Sequence, residues 1–201
     1  GMLWEPIPSF SGQFKGNGHT ISDLTITGQY SPAGLFGIVE EQGSIESLSV
    51  RGVVSVSDSA DTTTGGIVGV NHGTLINCQF TGVVTGDSEV GGIVGRNESE
   101  GTIDHGTARA IVTGKSSTGG IAGYNLGAIT GCTNVGSINT EYPEASLDTD
   151  GFTAKMVDYI NNKMAAAADD AANSVTNVAT DTGGVAGRSS GMILTSVNTG
   201  T

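Results

Sequence analysis

A seven-residue segment recurs along this chain, and the recurrence restricts the fold more than any other property. It reads Gly65-Gly66-Ile67-Val68-Gly69-Val70-Asn71, then Gly91-Gly92-Ile93-Val94-Gly95-Arg96-Asn97, then Gly119-Gly120-Ile121-Ala122-Gly123-Tyr124-Asn125. Gly183-Gly184-Val185-Ala186-Gly187-Arg188-Ser189 is a weaker fourth copy, and Ala33-Gly34-Leu35-Phe36-Gly37 a degenerate first. A segment this short cannot bury its own apolar side chains. It needs neighbours of the same kind stacked on it.

The residues after each anchor repeat as well. Counting from 19, 43, 73, 101, 127 and 191, an aliphatic lies two residues on: Ile21, Ile45, Leu75, Ile103, Ile129, Ile193. Five on are the fillers Leu24, Leu48, Cys78, Gly106, Cys132 and Ser196, and nine on a glycine or Ala110. Anchors at 65, 91 and 119 are 26 and 28 residues apart, the extra two falling in the turn Asn97-Glu98-Ser99-Glu100-Gly101. Strands keep their length while turns absorb the change. Short apolar runs bounded by Gly, Asn, Asp, Ser and Thr give three strands per lap. The expected fold is all-β: a parallel β-helix (solenoid) of about five to six coils, right-handed by the crossover rule. The 33 glycines lack a Gly-X-Y period, so collagen is excluded. They sit at fixed offsets, as expected where the backbone turns sharply once per lap.

Residues 1–18, rich in aromatics, read as an N-terminal cap or partial coil of this single domain. Residues 141–181 enter as an insert in one turn. There Asp148-Thr149-Asp150 can cap a helix, and Phe152, Met156, Tyr159, Ile160 and Met164 follow at helical spacing. One inserted α-helix is therefore expected. The last residues stop in mid-lap, at Gly200, which suggests part of a longer multidomain chain.

A net charge of -12 and a pI near 4.3 argue against nucleic acid and against anionic membranes. No run approaches eighteen apolar residues, so membrane insertion is not expected. Asn71, Asn97 and Asn125 hold one place in successive coils and should stack through their amides, a structural role. Cys78 and Cys132 share a file but lie two coils apart, roughly 10 Å. That exceeds the reach of a disulfide, about 7 Å, so buried free thiols are expected. His19, His72 and His105 have no metal-ligand spacing, and Asp104 beside His105 lacks a nucleophile to serve. No catalytic, cofactor or metal residue is assigned. Asp58 and Asp61 beside Asp87 and Glu89 are the densest acid cluster, suited at most to weak calcium binding, with Lys115 breaking it in the next coil. Thr25 and Thr27 hint at a threonine face, but Ser49, Arg51, Thr107 and Arg109 replace it later. Tyr124 and Tyr142 are the candidate partner contacts, because a rigid ring gives large contact at low entropic cost.

The segments Gly34-Leu35-Phe36-Gly37, Gly66-Ile67-Val68-Gly69 and Gly92-Ile93-Val94-Gly95 resemble the GLUG motif, and Phe14-Lys15-Gly16-Asn17-Gly18-His19-Thr20-Ile21 resembles its lead-in. The resemblance covers residues 13–140 and 183–200. It implies a parallel β-helix on a bacterial exterior, as in adhesin-like proteins and the non-catalytic region of IgA-cleaving metallopeptidases. No peptidase residue carries over, since His-Glu-x-x-His is absent. The expected function is a non-catalytic surface or secreted module, an adhesin or stalk segment facing a host glycan or surface protein. The alternative is a carbohydrate-active β-helix enzyme, a polysaccharide lyase or glycoside hydrolase.

Overall fold

The computed structural model describes residues 3–56, 62–139 and 182–200. Their strands are all parallel and stack as a β-solenoid of about five turns. No helix occurs among the described residues. The helix expected within 141–181 lies outside them, as does Tyr142.

Four sheets run along the axis. The first contains Ile7–Phe10, Phe36–Val39, Val68–Asn71, Val94–Asn97, Ala122–Asn125 and Ala186–Ser189. The second contains Gln13–Lys15, Ser44–Glu46, Thr74–Ile76, Thr102–Asp104, Ala128–Thr130 and Met192–Leu194. The third and widest is built on Thr20–Gly28, Ser49–Val56, Gln79–Thr85 and Thr107–Thr113, and continues through Thr133–Asn134 to Val197–Asn198. The fourth pairs Thr63–Gly65, Glu89–Gly91, Thr118–Gly119 and Thr182–Gly183. Three strands per lap are therefore too few. The approach to each anchor also pairs, because Thr64, Val90 and Thr118 form a buried file of their own.

Side chains alternate in and out along each strand, and in-register pairing turns every inward position into an axial file. One file runs Phe14, Ile45, Leu75, Ile103, Ile129, Ile193. Another runs Phe36, Val68, Val94, Ala122, Ala186. A third, Val50, Phe80, Ala108, Asn134, Asn198, lies over the second glycine of the anchors, where a Cβ on Gly66, Gly92, Gly120 or Gly184 would meet Phe80, Ala108, Asn134 or Asn198. Phe36 in one lap and Phe80 in the next share the bulk, and both are fully buried. Phe10 and Phe14 pack on Phe36 with ring centroids 5.1 and 5.6 Å away, an aromatic cluster at the N-terminal end.

The first lap departs from the count made on sequence. Phe14, not Ile21, pairs with Ile45, and the Ser44 amide donates to the Gly12 carbonyl at 2.9 Å. The position equivalent to Gly43 is thus Gly12, seven residues before His19. Two changes of spacing hide this: four residues, 16–19, join Lys15 to Thr20 where two join Glu46 to Ser49, and register shifts by one more between Ile21 and Leu24, where Asp23 has φ of 60°.

Close approach explains more of the glycine than turning does. A Cβ on Gly65, Gly91, Gly119 or Gly183 would collide with the carbonyl oxygen three residues on. A Cβ on Gly82 would collide with the Gly52 carbonyl of the lap before, and φ there is 153°. The sharp corner between the second and third sheets is made mostly by other residues. Ser47, Asn77, His105 and Thr195 take φ between 46 and 52°, with Gly131 at 61°. In the earlier laps the corner amides are all used. Ser47 donates to Ile76, Asn77 to Asp104, His105 to Thr130 and Gly131 to Leu194, at 2.9 to 3.0 Å.

Candidate functional site

The polar residues divide into those that join lap to lap and those that face outward. Asn71 Nδ2 donates to Asn97 Oδ1 at 2.8 Å, and Asn97 Nδ2 to Asn125 Oδ1 at 2.8 Å. Asn125 continues to Ser189 Oγ at 3.2 Å. Each amide also donates to its own turn: Asn71 to Gly73, Asn97 to Gly101, Asn125 to Gly127. The three are fully buried, so these bonds satisfy groups that water cannot reach. A second ladder escaped sequence reading: Asn134 Nδ2 donates to Asn198 Oδ1 at 2.7 Å. Its file carries Val50, Phe80 and Ala108 in earlier laps, so nothing periodic marks it.

Cys78 and Cys132 are free and buried, with Gly106 between them in the file. The Gly106 amide points at Cys132 Sγ, 3.2 Å away. Burial pushes both thiols up to about 11, which makes them unreactive fillers at neutral pH.

Asp87 and Glu89 of the acidic cluster are each paired with a cation. Asp87 Oδ1 meets Lys115 Nζ at 2.5 Å, and Glu89 Oε1 meets Arg96 at 2.7 Å. Arg96 also bonds Glu98 at 2.6 Å. Lys115, the residue that interrupts the acid cluster in sequence, is thus its counter-ion. Asp58 and Asp61 lie outside the described residues. Among the described residues no group of three His, Cys, Asp or Glu side chains converges on a metal position. Asp104 Oδ1 and His105 Nδ1 are 2.9 Å apart on the exposed corner.

Tyr124 occupies an outward file of the first sheet between Arg96 and Arg188. The guanidinium carbons lie 4.9 and 5.4 Å from its ring centroid, one lap before and one after. Stacked cations hold both faces of this half-buried ring.

The third sheet presents a concave feature on its outward face. It is a shallow groove of about 230 Å³ lined by Thr20, Ser49, Val50, Arg51, Gln79, Thr81 and Arg109. Arg51, Thr81 and Arg109 form one outward file, and Ser49 and Gln79 the next. None of the lining residues is acidic. The sequence reading met Arg51 and Arg109 only as interruptions of a threonine face.

No protein-family model and no solved structure matches the chain. Two curated proteins are similar to parts of it. Halomucin of Haloquadratum walsbyi is 35% identical over 100 residues, 49% of this chain and 1% of halomucin. A protein described as a Gly-rich membrane protein, from Evansella cellulosilytica, is 29% identical over 140 residues, 51% of this chain and 16% of that protein. The chain thus spans a small part of each relative's length.

Proposed function

We propose that this chain is a non-catalytic module of an extracellular or cell-surface protein, a stalk or adhesin segment built from GLUG-like repeats wound right-handed. It holds its turns toward a glycan or protein partner. The relatives' names, a halomucin and a membrane protein, support a surface association. The observation that carries the reading is the use made of polar side chains. Asn71, Asn97 and Asn125 are bonded into the wall, and Asp87 and Glu89 are tied to cations of their own or the next lap. That is how a spacer resists water and load.

Two measurements test it. Protease shaving of intact cells of the source organism should release peptides of this chain; their appearance only after lysis would overturn the location. A panel of polysaccharides, read by reducing ends and unsaturated products, should show no turnover. Cleavage abolished by Asp87→Asn or Asp104→Asn would favour the lyase or hydrolase reading instead.

A further inference from the structure

Arg51 and Arg109 have no ion-pair partner among the described residues, in a chain whose net charge is -12. Arg96 and Lys115, by contrast, are each bound to a carboxylate. Arg51 is exposed and Arg109 half-buried, two laps apart on the same outward file with Thr81 between them. Two laps separate their backbones by roughly 10 Å. Thr20, Ser49 and Gln79 complete the floor with neutral hydrogen-bonding groups.

From this groove we propose that the third sheet binds an acidic polysaccharide, with carboxylate or sulfate groups held by Arg51 and Arg109 and sugar hydroxyls by Thr81, Ser49 and Gln79. Arginine suits this work because its planar fork donates two parallel hydrogen bonds to an oxyanion. Other polymers fit less well. The groove has no aromatic anchor of the kind that dominates protein interfaces, and its one apolar lining residue, Val50, is fully buried. Its strands Ser49–Val56 and Gln79–Thr85 are paired on both sides, so no free edge invites an added peptide strand. Nucleic acid would want a longer basic stripe and aromatic rings for its bases to stack on, and the groove offers two arginines and no ring. At physiological salt, acids beyond about 8 Å of the groove are largely screened, so a local cationic pair can act within an acidic body.

The inference rests on the surface reading only for where such a polymer is met; the groove chemistry stands apart from it. The test is affinity electrophoresis and calorimetry of the purified chain with polygalacturonate, dextran sulfate and neutral dextran at two salt concentrations. We expect binding to one or both acidic polymers, none to dextran, and weakening as salt rises. Arg51→Gln with Arg109→Gln should reduce affinity at least tenfold, while Arg188→Gln with Lys15→Gln, an equal change of charge elsewhere, should leave it within twofold. Preference between the first two polymers identifies carboxylate or sulfate as the group held. No binding to either, or equal loss in both double variants, overturns the proposal. Cleavage of the bound polymer would sink the non-catalytic reading while leaving the groove intact.

Discussion

The lap at residues 63–85 and the lap at 182–198 are built from equivalent positions, yet they live in different surroundings. Leu75 is fully buried, whereas Ile193, three laps along the same file, is 39% exposed. Asn71 is buried and bonded onward to the next lap, while its counterpart Ser189 is exposed. The side chain over the anchor's second glycine is Phe80 in one and Asn198 in the other. Burial here is conferred by the next rung and not by the residue itself, as expected where each repeat contacts only its neighbours.

Substitutions at matched positions should sharpen or break that contrast. The largest effect is expected for Ile103→Ala, which empties a fully buried site and should cost about 2–5 kcal/mol in urea unfolding. Ile193→Ala should cost well under half as much; equal losses would break the neighbour argument. Gly82→Ala comes next, at roughly 2–4 kcal/mol from overpacking and strain, since a methyl would meet the Gly52 carbonyl. Gly200→Ala, whose methyl would meet the Gly136 carbonyl, should be milder because its lap is less deeply buried. Asn97→Ala removes both neighbours' partners and should cost about 1–3 kcal/mol, more than Asn198→Ala, in the same assay.

The last contrast concerns the thiols and shows only at alkaline pH. Their folded values near 11 stand above the ordinary 9.0, so the folded state holds these protons more tightly. That contribution is complete below pH 9 and is lost as pH rises toward 11. Urea midpoints should fall across this window, and less so in Cys132→Ala. Alkylation at pH 8 should be slow until urea opens the lap.

Much of the scaffold was legible because its signal repeats. The file Leu48, Cys78, Gly106, Cys132 and the ladder Asn71, Asn97, Asn125 were both readable by counting. What failed to show had no period. The longer turn at 16–19 and the bulge at Asp23 change the spacing of the first lap, and the Thr64, Val90, Thr118 file looks like turn because it is so short. The corner residues Ser47, Asn77 and His105 differ in type, although their backbone geometry is one. The stacking of Arg96, Tyr124 and Arg188 depends on contacts between laps that no spacing within a lap announces. For the same reason the groove at Arg51 and Arg109 showed in sequence only as disorder in another pattern.

The fourth sheet has one more consequence. After Thr113 the chain reaches Thr118 through Gly114-Lys115-Ser116-Ser117, and after Ile138 the next lap resumes at Thr182, which pairs with Thr118 in register. The same gap is thus closed by four residues or by more than forty, with no change of lattice on either side. Loop closure grows only slowly more costly with length, so this corner is a port at which cargo can be exchanged. A designer wishing to display a foreign peptide on the rod has its address.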